Sequence, residues 1–204
     1  MEKLVKVQEL VAAILDLEWE MFQRVRTAYP VSCQKSPETF RKIRASIFEL
    51  WTEEMLASYL NDLRQAKAVG RNLLSEKYAR MDNLIPRTNF NPLIDKIVAL
   101  DGDWQAEVKD KYPHLYSRVC RGMEPTNDGN NFNVYLRCEL ETYGQNTIEL
   151  YHQQSSKALA DGENLTLSML KRLVEKGGFK DLDQAERHLT GLQAKSPSGA
   201  ARTN

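Results

Sequence analysis

The feature that most constrains this chain is the recurrence of apolar side chains at helical spacing along most of its length. Leu4, Val7, Val11, Ile14, Met21, Phe22 and Val25 form one such stripe, the mark of a helix with one buried face. It predicts a first helix of roughly 25 residues. Pro30 ends that helix, because a proline ring disfavours helical backbone in the residue before it. Ser36-Pro37-Glu38 predicts a second start, with a capping serine and a proline in the first turn, and that helix runs to near Leu50.

Leu56, Tyr59, Leu63, Ala66, Gly70, Leu73, Leu74 and Met81 predict a third helix over Thr52 to Asp82. Inside it Gly70 reads as a point of close helix approach. Asn91-Pro92 predicts a fourth helix, interrupted at Asp101-Gly102 near Trp104. Met123 to Asn131 is rich in Pro, Asn, Asp and Gly and reads as a loop. A long helix follows from Phe132 to Leu159. Two shorter ones come after it: the first is capped by Asn164 or Thr166 and stopped by Gly177-Gly178. The second opens on an Asp181/Gln184 capping box.

No strand pair and no internal repeat stand out. The expected fold is all-α: a single helical bundle of about six to eight helices with irregular connections. Residues 1–160 form the main bundle, 161–193 a C-terminal helical pair packed on it, and 194–204 a disordered tail.

Composition limits the function. The 204 residues suit one domain. The 28 basic and 28 acidic side chains cancel, so no net field draws the chain to nucleic acid or to an anionic membrane. Cys33, Cys120 and Cys138 are odd in number and widely spaced. They read as reduced thiols, and the expected compartment is the cytoplasm. The apolar run Val11–Leu15 is broken by Asp16 and Glu18 and predicts neither a signal peptide nor a membrane span.

The informative anomaly is polar. Glu18 lies one turn from Ile14 and from Phe22, on the face that should be buried. Glu139 stands between Leu136 and Tyr143, and Lys77 falls in the third stripe, with Asp62 at its edge. A buried charge without a partner costs several kcal/mol. Two arrangements meet that demand. One is a structural network that locks helix register. The other is a polar pocket in which carboxylates of raised pKa act on a ligand. In the second reading Glu18 and Glu139 are the catalytic candidates. Tyr59, Asp62, Arg71, Lys77, Tyr135 and Arg137 are the ligand-binding ones.

Four stretches carry a resemblance: EWEMF (Glu18 to Phe22), Cys33-Gln34, SYLNDLRQAKAVGRNLLSEKYARM (Ser58 to Met81) and YLRCELETY (Tyr135 to Tyr143). With them the chain, from about Glu18 to about Leu189, resembles a bacterial and fungal helical family known only as domain of unknown function number 4125. The resemblance implies a helical fold and attaches no activity to any residue. Cys138 departs from the small residue expected in the last motif, which argues against a shared catalytic cysteine there.

Other chemistries lack their residues. There is no GxxxxGK[ST], no GxGxxG and no HExxH. A di-iron bundle would need two ExxH pairs, and only Glu149 with His152 has that spacing. None of His114, His152 and His188 is marked by context as the base for a cysteine or serine nucleophile. The sequence therefore predicts no metal and no cofactor. Its expected partner is a small polar molecule, anionic ones included, handled by carboxylate acid/base catalysis if the protein is an enzyme. The alternative is an accessory domain that docks a protein and whose buried charges are structural.

Overall fold

A computed structural model describes residues 2–26, 36–126 and 129–195. Pro30, Cys33, Gln34 and the tail from residue 196 lie outside the described residues, so the expected helix stop, the loop cysteine and the disordered tail are not addressed by it. The described residues hold ten helices and no strand, more than the six to eight expected. In chain order they are α1 (Glu2–Gln23), α2 (Pro37–Phe48), α3 (Glu53–Ala68), α4 (Leu73–Met81) and α5 (Pro92–Lys111). Then come α6 (Pro113–Val119), α7 (Phe132–Leu140), α8 (Gln145–Ala160), α9 (Leu165–Lys176) and α10 (Leu182–Lys195).

The surplus arises where long stripes are cut. The expected third helix is two, α3 and α4. Gly70 sits at φ +74° and lets the Arg71 N–H reach back to the Ala66 carbonyl at 2.8 Å, a left-handed helix stop. Asn72 then opens α4 by accepting the Ser75 N–H at 2.9 Å. A Cβ on Gly70 would meet no atom within 4 Å, so this glycine serves the turn and not close packing. The expected long helix after Asn131 is likewise two, α7 and α8, with the break before Gly144.

The reverse correction applies to Asp101-Gly102, which interrupts nothing: α5 runs through it. Asn91, Asn131 and Asn164 cap α5, α7 and α9 through their side-chain oxygens. Ser36 does not cap α2, since its hydroxyl donates to Thr39 Oγ1 at 2.7 Å. At the start of α10 Asp181 Oδ1 accepts the Gln184 N–H at 2.7 Å, while Gln184 Oε1 accepts the Lys180 N–H at 2.6 Å in place of the Asp181 N–H that a capping box would use.

The core is closed by α1 against α3, and by α5 against α7, α8 and α9. Ile14, Leu56, Leu63, Ile97, Leu140 and Ile148 have no solvent exposure. Burying such side chains is the main stabilising term, about 2 kcal/mol each. α9 also packs on α2, and α10 on α6 and α9. Helices α9 and α10 thus rest on α2, α5 and α6. No helix among the described residues is long and apolar enough to cross a membrane.

Candidate functional site

One carboxylate on α1 organises the site. Glu18 has no solvent exposure, and the Arg44 guanidinium grips it with two parallel bonds, Nε to Oε2 at 2.8 Å and Nη2 to Oε1 at 2.5 Å. The Tyr59 hydroxyl donates to the same Oε1 at 2.7 Å. Arg44 Nη2 also donates to Glu139 Oε1 at 2.8 Å. Glu139 further accepts Lys77 Nζ at 2.5 Å and the Tyr143 hydroxyl at 2.9 Å. Helices α1, α2, α3, α4 and α7, with Tyr143 of the α7–α8 turn, are therefore tied through two carboxylates and two cations. Charge-assisted bonds of this kind are the strong class of hydrogen bond.

Each member arrives by helical geometry. Glu18 lies one turn beyond Ile14 on the buried face of α1. Arg44 stands between the buried Phe40 and Phe48 on α2, and its guanidinium lies 4.7 Å from the Phe48 ring centre. Tyr59 and Tyr143 are held ring to ring, with centroids 4.6 Å apart. Lys77 reaches Glu139 while its ammonium stands 3.4 Å from the centre of the Tyr135 ring, a cation–π contact.

The electrostatics follow from that packing. Burial pushes the Glu139 carboxyl up, but Arg44 and Lys77 outweigh it and hold it well below the usual range. Burial opposes the charge on Arg44, yet Glu139 and Glu18 raise it further. Tyr59 and Tyr143 are raised well above the ordinary phenol value, first by burial and then by the adjacent carboxylates. Glu139 is thus a fixed anion, not the raised carboxylate expected from the sequence. That property belongs to Asp101, pushed to about 7 by burial against the opposing bond from Tyr151.

A cavity of about 430 Å³ opens over this network. Its floor includes Glu18, Arg44, Tyr59, Lys77 and Glu139, and its walls include Phe22, Phe40, Leu74 and Tyr135. Arg118 and Arg121, from the end of α6 and the segment after it, stand at its side. Cys120 also lines it, and burial pushes that thiol to about 12, far from the thiolate a nucleophile needs. No histidine lines it.

Of the residues singled out in the sequence, Glu18, Glu139, Tyr59, Lys77 and Tyr135 come together here. Asp62, Arg71 and Arg137 do not. Asp62 accepts the Gly144 N–H at 2.9 Å and the Thr147 hydroxyl at 2.6 Å, and so caps α8 from a neighbouring helix. Arg71 makes a two-bond pair with Glu76 at the surface. Arg137 pairs with the exposed Asp95 at 2.5 Å.

The sequence reading missed Arg44, although Phe40, Arg44 and Phe48 share one face at four-residue spacing. It also missed Arg118 and Arg121, which stand in no stripe. Among the described residues no group of His, Cys, Asp and Glu could hold a metal ion.

No curated protein and no solved structure matches this chain. A family model does: the one described as "Protein of unknown function (DUF4125)" matches residues 8–187, and the chain belongs to that family.

Proposed function

We propose that this protein binds a small anionic molecule with an apolar body in the cavity between α1, α2, α4 and α7. The observation that carries the reading is the charge count of the lining. Four basic side chains, Arg44, Lys77, Arg118 and Arg121, face two carboxylates, Glu18 and Glu139. The carboxylates are consumed by Arg44 and Lys77. Arg118 and Arg121 make no ion pair among the described residues and leave an excess of two positive charges. An anion between guanidinium groups and aromatic walls is favoured by the low local dielectric. In this reading Glu18 and Glu139 orient Arg44 and Lys77. Acid/base work by either carboxylate would first require the loss of one of its donors.

The test is a thermal-shift and calorimetric screen of anionic metabolites against wild type, Arg121→Ala and Arg118→Ala. Both arginines are exposed, so the variants should melt like wild type without ligand. A ligand at 100 times its Kd should stabilise wild type by about 2.7 kcal/mol, with affinity lost in the variants. Anion binding that is unchanged in both variants would sink the reading.

A second reading, docking of a protein partner, is favoured by one observation. The α4–α5 connection exposes Leu84 at 72% and Phe90 at 75%, and large apolar side chains left in solvent on one connection suit a contact surface. Leu84→Ser with Phe90→Ser would remove that surface without touching the cavity.

A further inference from the structure

The main cavity shares a wall with a second one of about 170 Å³, and Ile43, Arg44, Phe132, Tyr135, Glu139 and Met169 line both. The inner cavity differs in chemistry. It has neither Lys77 nor Arg118 nor Arg121; its charged groups are Arg44, Glu139 and Asp101.

One side of it is a ladder across two packed helices, and Gln105 of that ladder lines the main cavity as well. Asp101 and Gln105 lie one turn apart on α5, and Tyr151 and Ser155 one turn apart on α8. Asp101, Gln105 and Ser155 are 8%, 5% and 1% exposed. Yet Asp101 Oδ1, Gln105 Oε1 and Ser155 Oγ have no hydrogen-bond partner in the protein. The one bond to the Asp101 carboxylate comes from the Tyr151 hydroxyl, at 2.8 Å on Oδ2, and no cation pairs with it among the described residues. Buried polar groups nearly always find a partner in protein, water or ligand. Asp101 Oδ1 and Gln105 Oε1 accept, and the Ser155 hydroxyl accepts as well as donates, so a donor seated in this cavity would serve all three.

We propose that the inner cavity seats a primary ammonium group, with Asp101 as its counter-ion and Gln105 and Ser155 as acceptors. The ligand is then a small amino-bearing anion. Its acidic end lies toward Arg118 and Arg121, and its amine lies between α5 and α8. An ammonium group offers three donors and no acceptor, which matches three oxygens without partners. Burial that lifts Asp101 toward neutrality would be reversed by the arriving cation. The inference rests on the anion-binding reading of the main cavity for its second end only.

The experiment uses the full chain and three probe sets: straight-chain ω-amino carboxylates of graded length, the matching carboxylates, and the matching alkylamines. Kd values are measured by calorimetry for wild type, Asp101→Asn and Gln105→Met. The expected result is an ω-amino carboxylate that binds wild type at least about tenfold tighter than its matching carboxylate. That preference should collapse in Asp101→Asn, with the affinity of the plain carboxylate unchanged. Gln105→Met, which keeps the carboxylate, should narrow the preference and serves if Asp101→Asn does not fold.

Carboxylates that bind with no gain from the amine, or a gain that survives Asp101→Asn, overturn the inference and leave the anion site standing. Alkylamines that bind through Asp101 while carboxylates do not bind would uphold the inference and overturn the anion site. No binding by any probe overturns both.

Discussion

Glu18 on α1 and Glu139 on α7 are bridged by a single guanidinium: Arg44 Nη2 donates to Glu18 Oε1 at 2.5 Å and to Glu139 Oε1 at 2.8 Å. Glu139 keeps Lys77 as a second cation, but Arg44 is the one cation that pairs with Glu18 among the described residues. Removing it strands the Glu18 carboxylate, the costly way to break a buried ion pair. Arg44→Met should destabilise by about 3–5 kcal/mol in urea unfolding. Arg44→Lys should recover only part of that, since an ammonium cannot supply the two parallel bonds to Glu18. Equal stability of Arg44→Met and wild type would show that the bridge contributes nothing.

Glu139 and Asp101 should give opposite pH responses. The Glu139 carboxyl is held below its ordinary value. Its stabilisation is therefore present above the unfolded value near 4.5 and is lost as pH falls below it. Asp101 is raised from 3.8 to about 7, so the folded state binds its proton more tightly. Its contribution falls as pH rises from about 4 to about 7. The span is on the order of 4 kcal/mol at most. Asp101→Asn should abolish that decline, measured as the difference in unfolding free energy between pH 5 and pH 8. A decline of the same size in Asp101→Asn would assign it to another group.

Asp62 caps α8 and stands outside the cavity lining. Asp62→Ala should cost about 1–2 kcal/mol of stability through the lost capping of α8. Gly144→Ala should also destabilise, because its Cβ would run into the Asp62 carboxylate. Neither change should alter ligand affinity beyond what the altered stability explains. Selective loss of binding in a well-folded Asp62→Ala protein would return Asp62 to the site.

Arg71 and Arg137 form surface pairs with Glu76 and Asp95. Exposed pairs of this kind are worth about 0–1 kcal/mol. Arg71→Ala and Arg137→Ala should melt within about 1 kcal/mol of wild type and bind ligand with the wild-type Kd. A weakened Kd in either would extend the site beyond the cavity lining.

Much of this was legible in the residues. Apolar spacing declares the helices because a 3.6-residue repeat is a property of each segment alone. Asn91, Asn164 and the Asp181/Gln184 pair announce helix starts for the same local reason. Gly70 with Asn72 carried the signal of a break, and the unbroken stripe on either side masked it. Glu18, Glu139 and Lys77 could be read as inward-facing, because a stripe fixes the direction in which a side chain leaves its own helix axis.

The sequence by itself thus determined an all-helical chain, the caps at Asn91 and Asn164, its membership of a family and a set of charges that had to be buried. Only the tertiary structure decided which charge meets which. Arg44 closes on Glu18 because α2 packs against α1, and Asp62 leaves the site because α3 delivers it to the start of α8. The ladder of Asp101, Gln105, Tyr151 and Ser155 exists only where α5 faces α8. Helical periodicity fixes an angle about one axis. A site also needs the distances between axes, and those are set by side chains far apart in the chain packing together.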